Sequence, residues 1–149
     1  MTLKIAIAAD HGGFDLKEDI KTFTFENLNI EWIDLGTHSN DSVDYPEFGF
    51  KMADAIKQGL VNTGIVICGT GIGISIAANR YDHVRAALCT DVKMAQLARE
   101  HNDANVLAMG ARVTSKSDAM NIVATFLKTQ FEGGRHARRV NKLGGCHAQ

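Results

Sequence analysis

Ile65-Val66-Ile67-Cys68-Gly69-Thr70-Gly71-Ile72-Gly73-Ile74-Ser75 decides the fold. An apolar, β-branched run breaks into three alternating glycines and then into residues that can begin a helix. Such a run is a strand covered on both faces, as in a parallel sheet. The glycines make a tight turn whose backbone N–H groups can hold an anion. Cys68 is the strand's last residue, beside those amides. A thiol next to an anion-holding turn points to proton transfer or nucleophilic attack on a substrate that becomes negatively charged. The competing reading is a turn that needs glycine for shape alone.

Outward from this stretch, the pattern repeats. Strands are expected at Leu3–Ala9, Ile30–Leu35, Thr63–Cys68, Val84–Cys89 and Asn105–Met109. Helices are expected at Phe14–Glu26, Glu47–Gly59, Ile74–Asn79, Asp91–His101 and Lys116–Phe131, with Pro46 in a first turn. A short basic helix follows Gly133-Gly134. Strict β-α alternation predicts an α/β, Rossmann-like three-layer sandwich: a five-stranded parallel sheet plus a C-terminal helix. With 149 residues and no linker or repeat, residues 1–149 read as one domain.

Composition narrows the function. Net charge is −1, with 22% charged residues, so nothing draws the whole chain to nucleic acid or anionic membrane. Basic residues are not interleaved with aromatics. No apolar run is long enough for a membrane span or signal peptide. Three cysteines, Cys68, Cys89 and Cys146, fit no zinc spacing and are odd in number. A reducing, cytoplasmic setting follows, and no metal or cofactor is called for.

In an open parallel sheet, ligands sit at the C-terminal strand ends, where strand order reverses. Three polar clusters fall there: Asp10-His11-Gly12-Gly13, Gly36-Thr37-His38 and Cys68-Gly69-Thr70-Gly71. The glycine turn is GxGxG, with Ile74 where a dinucleotide fingerprint needs glycine, while Asp91 lies where a ribose-binding carboxylate would sit. A nucleotide-binding module therefore stays open as a second class. Cys89, in an apolar run, reads as a buried small hydrophobe, and Cys146 as inert. Asp10 reads either as a helix N-cap or as a sugar ligand. His101 and Asn102 read either as a helix C-cap or as site residues. Arg135 and Arg139, four apart, share a helical face suited to bidentate phosphate contacts, which Arg112 could join.

Taken together, Ala9-Asp10-His11-Gly12-Gly13-Phe14, Asp44-Tyr45-Pro46, Ile67 to Ser75, His101 to Leu107, Gly110-Ala111-Arg112 and Gly133-Gly134-Arg135-His136 resemble the ribose-5-phosphate isomerase B family. That family also includes allose-6-phosphate and galactose-6-phosphate isomerases. The resemblance spans about residues 5 to 140. It implies a cofactor-free aldose–ketose isomerisation of ribose 5-phosphate and ribulose 5-phosphate, in the non-oxidative branch of the pentose phosphate pathway. It also implies a homodimer with shared active sites, or a tetramer. A hexose 6-phosphate is the alternative substrate, and a non-catalytic sugar-phosphate sensor a third class.

By the same resemblance Cys68 is the base between C2 and C1. Ser75 stands where other members carry a glutamate for that step. Thr70 assists at the reacting oxygens. The amides of Gly69, Gly71, Ile72, Gly73 and Ile74 hold the enediolate. His101 opens the ring, with Asp10 nearby across the dimer. Tyr45 and Asn102 line the sugar. His11, Arg112, Arg135 and Arg139 hold the phosphate.

Overall fold

The computed structural model describes residues 1–144; Cys146 and most of the tail after Asn141 lie outside them. The element order is β1 (Thr2–Ala9), α1 (Phe14–Thr22), β2 (Asn29–Asp34), α2 (Tyr45–Lys57), β3 (Thr63–Cys68), α3 (Ile72–Ala78), β4 (Ala86–Leu88), α4 (Val92–Asn102), β5 (Val106–Gly110), α5 (Lys116–Lys128) and α6 (Arg135–Gly144). The five strands form one sheet in the order β2-β1-β3-β5-β4, every pair parallel. This is the Rossmann-like layering expected from the alternation. Strand order reverses between β1 and β3, so Asp10 and Cys68 emerge at the switch point.

Side chains alternate along each strand. Ile5, Ile7, Ala9, Ile65 and Ile67 face a core shared with Leu16, Ile20, Ala95, Ile122 and Phe126, from α1, α4 and α5. Ala6, Ala8, Val66 and Cys68 face the other core, with Phe48, Met52 and Ile74 from α2 and α3. Each fully buried Ile, Leu or Phe contributes about 1.5–3 kcal/mol, so both layers are firmly held. Cys68 therefore points toward α2 and α3. Among the described residues, no helix is long and apolar enough to cross a membrane.

Several boundaries differ from expectation, each for a local reason. α1 stops at Thr22 because Phe23 turns extended (φ −75°, ψ 138°), which brings Phe25 into the core. α3 begins two residues early because Gly71 takes a left-handed turn (φ 81°) that starts the helix at once. β4 is only three residues long; the Asn79 side chain both donates to and accepts from Ala86 at the sheet edge. α5 stops at Lys128, where Thr129 turns extended. The caps differ too. Gly13 caps α1, with Asp10 Oδ1 accepting from its N–H at 3.1 Å. Asp103, left-handed, caps the C-terminus of α4 in place of His101 and Asn102.

Asp34, at the end of β2, anchors the loop that leads to the site. It accepts from Lys17 Nζ and Lys21 Nζ, both at 2.7 Å, and from Gly36 N at 2.9 Å. Lys17 is wholly buried. Burial pushes the Asp34 carboxyl up, but the two ammonium groups and the Gly36 amide outweigh it and hold it at about 2, against 3.8 for a free carboxyl. The unfolded chain thus takes up this proton first. Stability from Asp34 is full above about pH 4 and is lost as pH falls through about 2. Asp34→Asn is expected to flatten the acid limb of thermal unfolding between those values. Calorimetry across that range checks it, and an unchanged slope would remove the linkage.

Candidate active site at the strand ends

The ends of β1, β3 and β5 converge. The β3–β5 ladder runs past both strands: Ala111 N donates to Cys68 O and Arg112 N to Gly69 O, both at 2.9 Å. This holds Arg112 beside the glycine turn. Its Nη1 lies 3.0 Å from where a Cβ on Gly69 would stand, so a side chain there would press on the guanidinium. On the other side, Gly12 backs onto the Gly69 amide and Asp10 Oδ1, 3.4 and 3.3 Å from its virtual Cβ. The Asp10 cluster and the cysteine turn are thus in contact.

Cys68 is 5% exposed. Its sulfur accepts from Gly71 N at 3.2 Å. Thr70, exposed at the tip, accepts from Ile72 N at 3.2 Å. Two of the turn amides are therefore already engaged, with the sulfur and with the Thr70 hydroxyl. The Gly73 and Ile74 amides open the helix, where no intrahelical carbonyl precedes them. Tyr45, at the start of α2, lays its ring against Gly73, within 2.6 Å of the virtual Cβ. The β2–α2 loop is stitched in by Ala9 N to Gly36 O at 2.8 Å and Thr37 N to Ala9 O at 2.7 Å. His11 Nδ1 accepts from Val43 N at 3.1 Å.

The other thiol and hydroxyl candidates are spoken for. Burial, with Asp91 nearby, pushes the Cys89 thiol up to about 12. Ser75 Oγ donates to Ile72 O at 2.8 Å. Asp91 is the N-cap of α4, accepting from Met94 N at 2.8 Å. A capping role thus explains the carboxylate that kept a nucleotide reading open.

The remaining expected residues lie elsewhere. α4 runs back from the C-terminal end of β4, so His101 and Asn102 close at the N-terminal edge of the sheet. There, with His136, Arg139, Val140 and Leu143, they line a cavity of about 290 Å³; Arg135 opens the same short helix, exposed. Arg112 follows the opposite end of β5. That strand has five residues, about 16 Å of extended chain, and it stands between the two groups. Within one chain, Asp10, His11, Tyr45, Cys68, Thr70 and Arg112 form one group and His101, Asn102 and Arg139 another. Two residues that the sequence reading left without a role belong to the second group. His136 stacks on His101, and Glu132 sits beside both. No spacing signals this contact, because it arises from α6 packing against α4.

Comparison with known proteins agrees with this architecture. The family model described as Ribose/Galactose Isomerase matches residues 5–143. Ribose-5-phosphate isomerase B of Escherichia coli is 48% identical over 140 residues, covering 94% of this chain and 93% of that protein. The structure of Clostridium thermocellum ribose-5-phosphate isomerase B superposes with a TM-score of 0.92 at 54% identity, covering 98% of both chains. That of Mycoplasma genitalium ribose-5-phosphate isomerase B, with bound ribulose-5-phosphate, superposes with a TM-score of 0.88 at 41% identity, covering 99% of this chain and 97% of that one. With the match running through both residue groups and nearly end to end, the chain belongs to the ribose/galactose isomerase family.

Proposed function

We propose that this chain is a single-domain ribose-5-phosphate isomerase that interconverts ribose 5-phosphate and ribulose 5-phosphate, in the non-oxidative pentose phosphate pathway of the cytoplasm. The observation that carries the chemistry is the Cys68 sulfur held against the glycine-turn amides, with Asp10 and the Arg112 guanidinium alongside. The relative that holds ribulose-5-phosphate supports the substrate.

His101 relays protons to open the sugar ring, work suited to an imidazole at neutral pH. Cys68, as thiolate, removes the C2 proton from the open aldose and returns it to C1. The electron pair moves onto the carbonyl oxygen, giving an enediolate. Backbone amides of the Gly69–Ile74 turn meet that charge; one such donor is worth about 3–4 kcal/mol in a comparable site. Thr70 passes the proton between O2 and O1. Tyr45 and Asn102 contact the sugar. His11, Arg112, Arg135 and Arg139 grip the phosphate, anchoring the reacting carbons.

One chain holds only half of these groups at each edge. We therefore infer a homodimer in which the strand-end group of one protomer faces the His101 group of its partner. Exposed apolar residues flank both halves: Ile72 at 52% and Ile76 at 57% on α3, and Leu143 at 53% on α6. These exposed side chains beside each half support that reading.

Deuterium-exchange NMR with ribose 5-phosphate and allose 6-phosphate, run side by side, tests the reading. Exchange at C2 with net ketose formation is expected for the pentose. Exchange on the hexose alone would move the assignment to hexose 6-phosphates, and binding without exchange would make the chain a sensor. Arg135→Ala and Arg139→Ala are expected to raise KM about tenfold or more with a smaller fall in kcat. Each removes a charge-assisted bond to phosphate, worth about 1.5–3 kcal/mol. Steady-state kinetics checks this; unchanged KM in both would leave α6 a solvated basic surface.

A further inference from the structure

Where α4 ends, two imidazoles lie face to face. The His101 and His136 ring centroids are 4.2 Å apart, with planes 12° from parallel. One carboxylate serves both: Glu132 Oε1 is 3.9 Å from His101 Nε2 and 3.5 Å from His136 Nε2. The His136 side chain is 7% exposed, and its Nε2 is buried without a hydrogen-bond partner among the described residues. Glu132 is fixed by the backbone. Its N–H donates to the carbonyl of Glu100, the residue before His101, at 3.1 Å. Arg99 Nε donates to Thr129 O at 3.2 Å. These two bonds pin the α5–α6 loop to the last turn of α4.

The arrangement suits proton handling better than metal binding. Lone pairs of ring nitrogens lie in the ring planes, so two nearly parallel stacked rings cannot aim theirs at one point. A ring-opening histidine must hold a fixed plane and stay able to gain and lose a proton near neutral pH. On α6, Arg135 and Arg139 set positive charge near the His136 ring. On the helix of His101, Glu100 is engaged with Gln96 and Arg99 with Asp103. Glu132 is the carboxylate set against both rings. Burial, then the charges of His101 and Arg135, press the His136 proton affinity below its ordinary value, while Glu132 works the other way; the ring packs flat on His101 as a stacking plate.

Building on the isomerase reading, we propose that Glu132 is a positioning residue for ring opening: its carboxylate, set against both imidazoles, and the stacked His136 together hold the plane of the His101 ring.

Glu132→Gln keeps the shape and the backbone bond and removes the charge. On ribose 5-phosphate, kcat is expected to fall about threefold to fivefold, the upper range for a half-exposed pair. The limb on which rate falls with rising pH should move to lower pH, because the carboxylate set against the His101 ring is gone. Glu132→Lys should move it further the same way. A four-carbon aldose phosphate has no free hydroxyl to close a five-membered ring, so its C2 hydrogen exchange should be unchanged in both variants. Unmoved pH limbs, or equal losses on the cyclic and four-carbon substrates, would overturn the inference. A wild-type chain that exchanges neither substrate would overturn the isomerase reading, and this inference with it.

Discussion

Cys68→Ala is expected to lower kcat on ribose 5-phosphate by at least about 10²–10⁴-fold, the usual contribution of a positioned base, with little change in KM. The size follows from the lack of a substitute. Cys89 faces the opposite core, with its thiol pushed up to about 12. Ser75 Oγ is committed to the Ile72 carbonyl. Thr70, nearest along the turn, is a hydroxyl and a far weaker base at neutral pH. Folding is expected to survive, because alanine removes one sulfur from a layer otherwise held by Val66, Phe48, Met52 and Ile74. The phosphate grip is expected to survive because it belongs to His11 and the three arginines, not to the thiol. Deuterium exchange at C2 is the decisive readout, since it reports proton removal directly. Inorganic phosphate should still raise the unfolding temperature of the variant. Near-normal exchange in Cys68→Ala would dismiss the thiol as base, and lost phosphate stabilisation would mean that the substitution had damaged the site as a whole.

The strand-end group was legible because its geometry is local. A β-branched run ending in Cys68-Gly69-Thr70-Gly71 carries both the strand and the turn, and two of these strand ends meet wherever a parallel sheet reverses order. The apolar runs of β1, β3 and β5 were plain for the same reason. What sequence pattern missed depends on partners distant in the chain. Phe23 to Phe25 continue the helical composition of α1, yet the core wants Phe25 more than the helix wants another turn. Lys17 is buried inside α1 because Asp34, seventeen residues away, gives its ammonium a partner, a pairing that no local pattern encodes. The stack of His101 on His136 comes from the docking of α6 on α4, which no spacing encodes. The two halves at opposite sheet edges follow from the direction of α4, once β4 and β5 are placed. That the halves meet between subunits was an implication of family resemblance, not of residue pattern.

Mixing two inactive variants is expected to restore activity. Cys68→Ala lacks the base, and His101→Ala lacks the ring-opening group that the proposed partner supplies. Each homodimer carries the same lesion in both sites. In a two-fold dimer the interface is reciprocal, so a mixed dimer has one site with both lesions and one with neither. After equal mixing and subunit exchange, half of the dimers are mixed and half of their sites are intact. Total activity should therefore recover to about a quarter of wild type, from a background lower by orders of magnitude. Sites built within one chain would give no recovery at any mixing ratio, because every chain would keep its own defect. The outcome thus separates the two geometries qualitatively. Exchange itself can be followed with a size-tagged copy of either variant. Mixed dimers without recovered turnover would place His101 outside the site that contains Cys68, and its cavity would then need another occupant than the sugar ring.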